Sequence, residues 1–185
     1  MDALLYLLLG VGLSAACGFR VFVPLAVIGL AGRLGQLQLA GNMEWITSTP
    51  ALTVLAAATI IEVGAYYIPW VDNVLDSITT PLAILAGTAA TAAVLTGADP
   101  VIQWSVGLIA GGTTAGAVQL ATVAARAVST LTTGGLGNPV VSTLEAGAAA
   151  GVSVGMVVLP VAVAGLLVAG LIVWAIHALW KRARS

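Results

Sequence analysis

The stretch GLSAACGFRVFVP, residues 12–24, sets an arginine in the middle of a long apolar run. Two readings of Arg20 compete. In one, LSAAC is a lipoprotein-like cleavage site ending at Cys17. In the other, Arg20 is a charge held inside a membrane. A secretory signal needs a positively charged leading region, and no Lys or Arg precedes Arg20. Apolar residues also resume at once after it, so the second reading is the one to follow.

Composition agrees with it. The 185 residues are 60% hydrophobic and 7% charged, with a mean hydropathy of +1.11. A soluble domain carries about 25% charged residues. So few charges cannot cover this much apolar surface in water, and lipid must do it. The expected fold class is all-α: a polytopic transmembrane helix bundle of about six spans in one domain, residues 1–185. The net charge is −1 with no basic stripe, which argues against nucleic acid as a partner. Cys17 is the sole cysteine and His177 the sole histidine, so neither a disulfide nor a thiolate metal cluster is expected. His177 lies between Trp174 and Trp180 and reads as an interfacial residue.

Apolar segments run over 3–33, 51–69, 79–96, 101–131 and 146–180. Three of them exceed 30 residues, about 45 Å as straight helix, more than a hydrocarbon core of about 30 Å. Each carries breakers: Cys17-Gly18 and Pro24, Gly111-Gly112, and Gly155 with Pro160. They are expected either as kinked, tilted helices or as pairs of shorter, broken or re-entrant helices. Backbone broken at membrane depth survives only where protein or water satisfies it, a pattern associated with transport sites. Lys181, Arg182 and Arg184 place the C-terminus in the cytoplasm of a multi-pass inner-membrane protein. Tyr6, Trp45, Tyr66, Tyr67, Trp70, Trp104, Trp174 and Trp180 read as an aromatic belt.

Charge is scarce enough to take residue by residue. Arg20, Glu62, Arg126 and Glu145 lie in or beside apolar runs, where each costs about 2.5–3.5 kcal/mol at a helix centre. Two cations and two anions balance. They are expected to form one or two buried ion pairs or to line one polar path, with snorkelling arginines as the alternative. Thr132-Thr133-Gly134-Gly135 and Asn138-Pro139 would shape an irregular polar segment along that path. Asp72 and Asp76 stand four apart, on one face if helical. They could hold a hard cation or cap a helix beginning near Val71. The order Arg, glycine turn, Glu-x-Gly-Ala, Pro recurs from Arg20 to Pro81 and from Arg126 to Pro160, suggesting a two-fold repeat with halves 1–97 and 98–185. Gly147, Gly151 and Gly155 form a small-residue stripe suited to close helix packing, within the chain or in a homo-oligomer.

The combination GFRVFVP, then Glu62, IPWVDNVLD, Pro81 and Gly87, then AARAVSTLTTGGLGNPVVSTLE, resembles a bacterial family of small polytopic membrane proteins known as a domain of unknown function. The resemblance covers nearly the whole chain and implies the membrane class. It also implies an acidic–basic pair shortly after Glu62. Here Ala65-Tyr66-Tyr67 stand instead, which weakens a cation-exchange reading. The functional expectation is a transporter or channel for a small solute or ion. The alternatives are an accessory membrane subunit and a lipid-handling, scramblase-like protein. No enzyme is expected, since nucleophile–base sets, metal-ligand clusters and nucleotide loops are missing, and no cofactor either.

Overall fold

The computed structural model describes residues 3–68 and 71–159, and these are helical with short connections. Helix α1 is Ala3–Phe19 and α2 is Phe22–Arg33. A 3₁₀ turn, Gly41–Thr47, leads into α3, Thr49–Ala65. Then come α4, Val71–Val94, α5, Pro100–Val106, a π-helical segment, Gly107–Gly112, and α6, Thr113–Thr133. Helix α7 begins at Asn138 and is described to Leu159.

The decisive feature is the break at Arg20-Val21. Helix α1 rises about 25 Å and α2 about 18 Å, so neither spans a membrane alone. Together they fold back as a hairpin. Tyr6, near the start of α1, donates a hydrogen bond to Gln38 Oε1, just past α2, at 3.5 Å. Along α1, Gly10 lies against Thr91 and Val94 near the end of α4, while Gly18 lies against Ala115 and Val118 of α6. The hairpin therefore enters and leaves at one end of the bundle, with its tip inside. This resolves segment 3–33 as two short helices, bent at Arg20-Val21 and neither at Cys17-Gly18 nor at Pro24. Pro24 sits in the first turn of α2, where a missing N–H costs nothing.

Segment 101–131 behaves differently. Residues 100–133 form one continuous run of 34 residues. Gly111 and Gly112 do not break it; they lie in its π segment. There the chain presses against α4 so closely that a Cβ on Gly111 would meet Gly87 O, Thr91 Oγ1 and Ser14 Oγ. Ser14 fastens this crossing by donating to Gly87 O at 2.6 Å. Other ends are capped as their sequences dictate: Ser48 accepts from Ala51 N–H at 3.3 Å and Asp99 from Val101 N–H at 2.8 Å, each ahead of a proline in the first turn. Gly134, at φ +65°, closes α6 in the left-handed conformation that glycine adopts without strain.

Three helices are long and apolar enough to cross a membrane: 74–94, 100–133 and 138–159. The 3₁₀ turn with α3, bent by 65°, makes a fourth if counted as one span. The expected six is not reached among the described residues, because segment 3–33 is divided into two helices of 17 and 12 residues, each too short to count as a span. Pro160, His177 and the basic cluster Lys181, Arg182, Arg184 lie outside the described residues.

On α3 and α6 the surface chemistry is inverted relative to a water-soluble bundle. The buried residue of α3 is Glu62, while Val54, Ile60 and Ile61 face outward, Ile60 at 73% exposure. On α6, Gln119, Thr122 and Arg126 are buried while Leu120, Val128 and Leu131 are exposed. Water would drive the opposite arrangement.

Packing makes one expectation concrete. A Cβ at Gly87 would collide with Ala115 Cβ and Gly111 O, whereas none of the described atoms lies within 4 Å of one at Gly151. Gly87→Val is expected to lower stability by about 1–3 kcal/mol, and Gly151→Ala, inside a helix with room for a methyl group, to raise it by about 0.5–1 kcal/mol. Thermal unfolding of the detergent-solubilised protein measures both.

Candidate functional site

Five elements meet at the hairpin tip. The α1–α2 break brings Arg20, α3 brings Glu62 and Tyr66, α4 brings Asp72, Asp76 and Thr79, α6 brings Gln119, Thr122 and Arg126, and α7 brings Asn138, Ser142 and Glu145. Both arginines are 1% exposed.

A chain of charges runs through the cluster. Arg20 Nη1 lies 3.1 Å from Glu145 Oε2. Glu145 Oε1 lies 3.2 Å from Arg126 Nε, and Arg126 Nη1 lies 2.5 Å from Asp76 Oδ1. Two guanidinium groups thus share one carboxylate, and a second carboxylate closes the series. Neither Glu145 contact has the direction of a hydrogen bond, and Arg20 Nε is buried without an acceptor. Arg20 is anchored by backbone instead: Nη2 donates to Ser142 O at 3.1 Å and Nη1 to Phe19 O at 3.4 Å. Arg126 Nη2 donates to Thr122 Oγ1 at 3.2 Å.

Tyr66 is the hub. The guanidinium carbons of Arg20 and Arg126 lie 4.0 and 4.4 Å from its ring centroid, within cation–π range. Its hydroxyl donates to Asp76 Oδ1 at 3.1 Å. Since a phenol has one proton, its 2.8 Å contact with Thr79 Oγ1 must be donated by Thr79. Thr79 in turn accepts from Gln119 Nε2 at 3.1 Å. The relay runs from Gln119 through Thr79 and Tyr66 to Asp76, where Arg126 meets it. Ser142 Oγ donates to Tyr66 O at 3.2 Å and ties α7 to the end of α3.

Glu62 has a separate task. Its Oε1 accepts from Val21 N–H at 2.7 Å and its Oε2 from Phe22 N–H at 3.0 Å. It caps the broken start of α2, and among the described residues it makes no ion pair. The expected balance of two arginines with Glu62 and Glu145 is therefore corrected: Asp76 is the second partner, because Glu62 is committed to the helix terminus. Asp72 and Asp76 do share the inner face of α4, but their neighbours are side chains. Asn138 Nδ2 donates to Asp72 Oδ2, and to Thr130 Oγ1 at 3.0 Å. No group of three His, Cys, Asp or Glu suited to a metal occurs among the described residues. Of the expected irregular segment, Thr132-Thr133 end α6 and Asn138-Pro139 begin α7, so only a four-residue turn, 134–137, lies outside helix.

Sequence reasoning placed Tyr66 in the aromatic belt; it is 2% exposed, at the centre of the cluster. It missed Thr79, Gln119, Thr122 and Ser142. The signal was present: Gln119, Thr122 and Arg126, like Asp72, Asp76 and Thr79, recur at helical spacing along one face.

Beside the cluster, between α6 and α7, lies a groove of about 430 Å³. Phe19, Val118, Ala125, Val141, Leu144 and Ala148 line it, and Glu145 and Thr122 add the polar part.

Fold and site define a class: an all-helical protein with helices of membrane-crossing length, outward-facing apolar side chains and a charged cluster at the tip of a helical hairpin. Its sequence matches the profile of a domain of unknown function, DUF4126, over residues 7–182. The chain belongs to that family. No curated protein and no solved structure matches it.

Removing one member of a buried ionic network strands the others. Arg126→Ala leaves Asp76 and Glu145 short of a cation and is expected to destabilise by about 3–5 kcal/mol. Tyr66→Phe removes one hydrogen bond to a charged group and is expected to cost about 1.5–3 kcal/mol. Denaturation in detergent micelles separates the two.

Proposed function

We propose that the protein is a transporter or channel for a small solute or ion, with a polar path through Arg20, Glu62, Arg126, Glu145 and Asn138. The observation that carries this reading is the sharing of Glu145 by two arginines at the tip of a re-entrant hairpin. A carboxylate held by charge from both sides, without a directed hydrogen bond, is in the position an anionic substrate would occupy. Displacing it leaves Arg126 still paired with Asp76, so exchange does not dismantle the site. Broken helices converging on ionisable groups are the arrangement in which transport sites are found, and the arginines make an anion the favoured cargo. The setting is the inner membrane, with the C-terminus cytoplasmic on the strength of Lys181, Arg182 and Arg184. The protein acts on solute without chemistry. The open stripe Gly147, Gly151, Gly155 supports a homo-oligomer through α7, and the recurring Arg and Glu positions support a two-fold ancestry of the halves 1–97 and 98–185.

The groove between α6 and α7 favours a second reading, lipid handling. Its apolar wall leads to Glu145, so a headgroup could reach the charged cluster while its chains stay in the membrane.

Purified protein in sealed vesicles tests both. Flux of chloride, phosphate and a short carboxylate is measured against empty vesicles, for the parent and for Arg20→Ala variants shown to be folded. Loss of a charged hydrogen-bonding group of about 1.5–3 kcal/mol predicts a flux at least about tenfold lower in the variant. Absence of flux of all three anions in the parent overturns the anion-transport reading. Transfer of labelled lipid between leaflets in the same vesicles then establishes or ends the second reading.

A further inference from the structure

Helix α2 starts inside the bundle, and its first N–H groups need acceptors that α1 does not provide. Arg20 N–H still bonds to Ala16 O at 3.2 Å. Beyond it the series stops, and the next two donors, Val21 and Phe22, turn to Glu62. Pro24 has no N–H. Val21, the N-cap residue, provides no side-chain cap of its own. One carboxylate from another helix thus takes the place of a local cap and fixes the direction in which the hairpin turns. It does so with both oxygens, which only the ionised form can offer as acceptors to two N–H groups. A protonated carboxyl keeps one acceptor and turns the other oxygen into a donor facing an N–H.

We propose that Glu62 is a proton-binding site, and that taking up a proton there unlatches the tip of the hairpin from α3. The groups facing Glu62 fit this role. The charges of Arg20, at the break, and of Arg126, on α6, act on it, and from α1 the nearby group is the Cys17 thiol. Both arginines are held by Glu145 and Asp76, so protonating Glu62 leaves neither of them unpaired. The released elements are the tip residues 19–22, while Ser14 keeps the rest of α1 fastened to α4. The latch is a property of the hairpin and stands whether or not the protein carries a solute.

Amide hydrogen exchange of the full chain in lipid vesicles reads it directly. Residues 17–26 are compared with residues 83–94 of α4 at pH 8 and pH 4, the interval over which carboxyl groups take up their proton, after correction for intrinsic exchange. The parent is expected to lose protection in 17–26 by at least about tenfold at pH 4, with 83–94 unchanged. Glu62→Gln is expected to lack that protection at both pH values. A parent whose tip protection does not depend on pH overturns the proposal, as does a Glu62→Gln protein that keeps the full pH response. Should Glu62→Gln not assemble, Glu62→Asp decides: a carboxylate one methylene shorter is expected to lower the tip's protection at pH 8, and a Glu62→Asp protein with the parent's protection at both pH values overturns the proposal.

Discussion

Two hydrogen bonds from Val21 and Phe22 to one carboxylate fix the place where the chain turns between α1 and α2. A helix interrupted away from water must satisfy every freed backbone group within the protein. The chain meets that demand by sending Glu62 across from α3. Once the turn is fixed, Arg20 is carried to the bundle interior, and the remaining polar residues follow from having to accommodate it. Glu145 neutralises it, Ser142 offers a carbonyl, and Tyr66 lays its ring beneath the guanidinium. Arg126 then becomes affordable beside the same carboxylate because Asp76 supplies the second negative charge. Each polar group is placed by the one before it.

Such a network is seldom a net source of stability. Desolvating two arginines and their partners costs several kcal/mol per ion, and good geometry mostly returns that amount. What it provides is a unique register for five elements. The apolar core, rich in alanine with Leu9, Leu13, Ile28, Leu37 and Met43 among it, carries little directional specificity of its own. A guanidinium that must find two carboxylates supplies it.

Much of this was written in the sequence. Composition points to lipid, the length of segment 3–33 demands an interruption, and of the four ionisable residues singled out Arg20, Arg126 and Glu145 form ion pairs while Glu62 caps a helix instead. The rest depends on geometry that one sequence does not contain. The break could be placed near Cys17-Gly18 or at Pro24 because glycine and proline mark where helices fail. The actual turn lies at Arg20-Val21 because a distant carboxylate makes it affordable there, and a partner 41 residues away leaves no local trace. Gly111-Gly112 misled for the opposite reason: small residues also allow tight packing, and here they let the π segment approach α4. Tyr66 misled because it lies at a segment end, where aromatic residues commonly face the membrane surface. Its periodicity was uninformative, whereas the polar stripes on α4 and α6 carried their message in plain spacing.

The order in which these contacts become available has its own significance. During synthesis α1 and α2 are made before any partner of their tip. The acceptor for Val21 arrives 41 residues later and the carbonyl for Arg20 122 residues later. Until then the tip is a charged, half-satisfied loop that hydrocarbon would reject. The hairpin is thus among the earliest segments translated, and the contacts that complete its tip are with segments made much later.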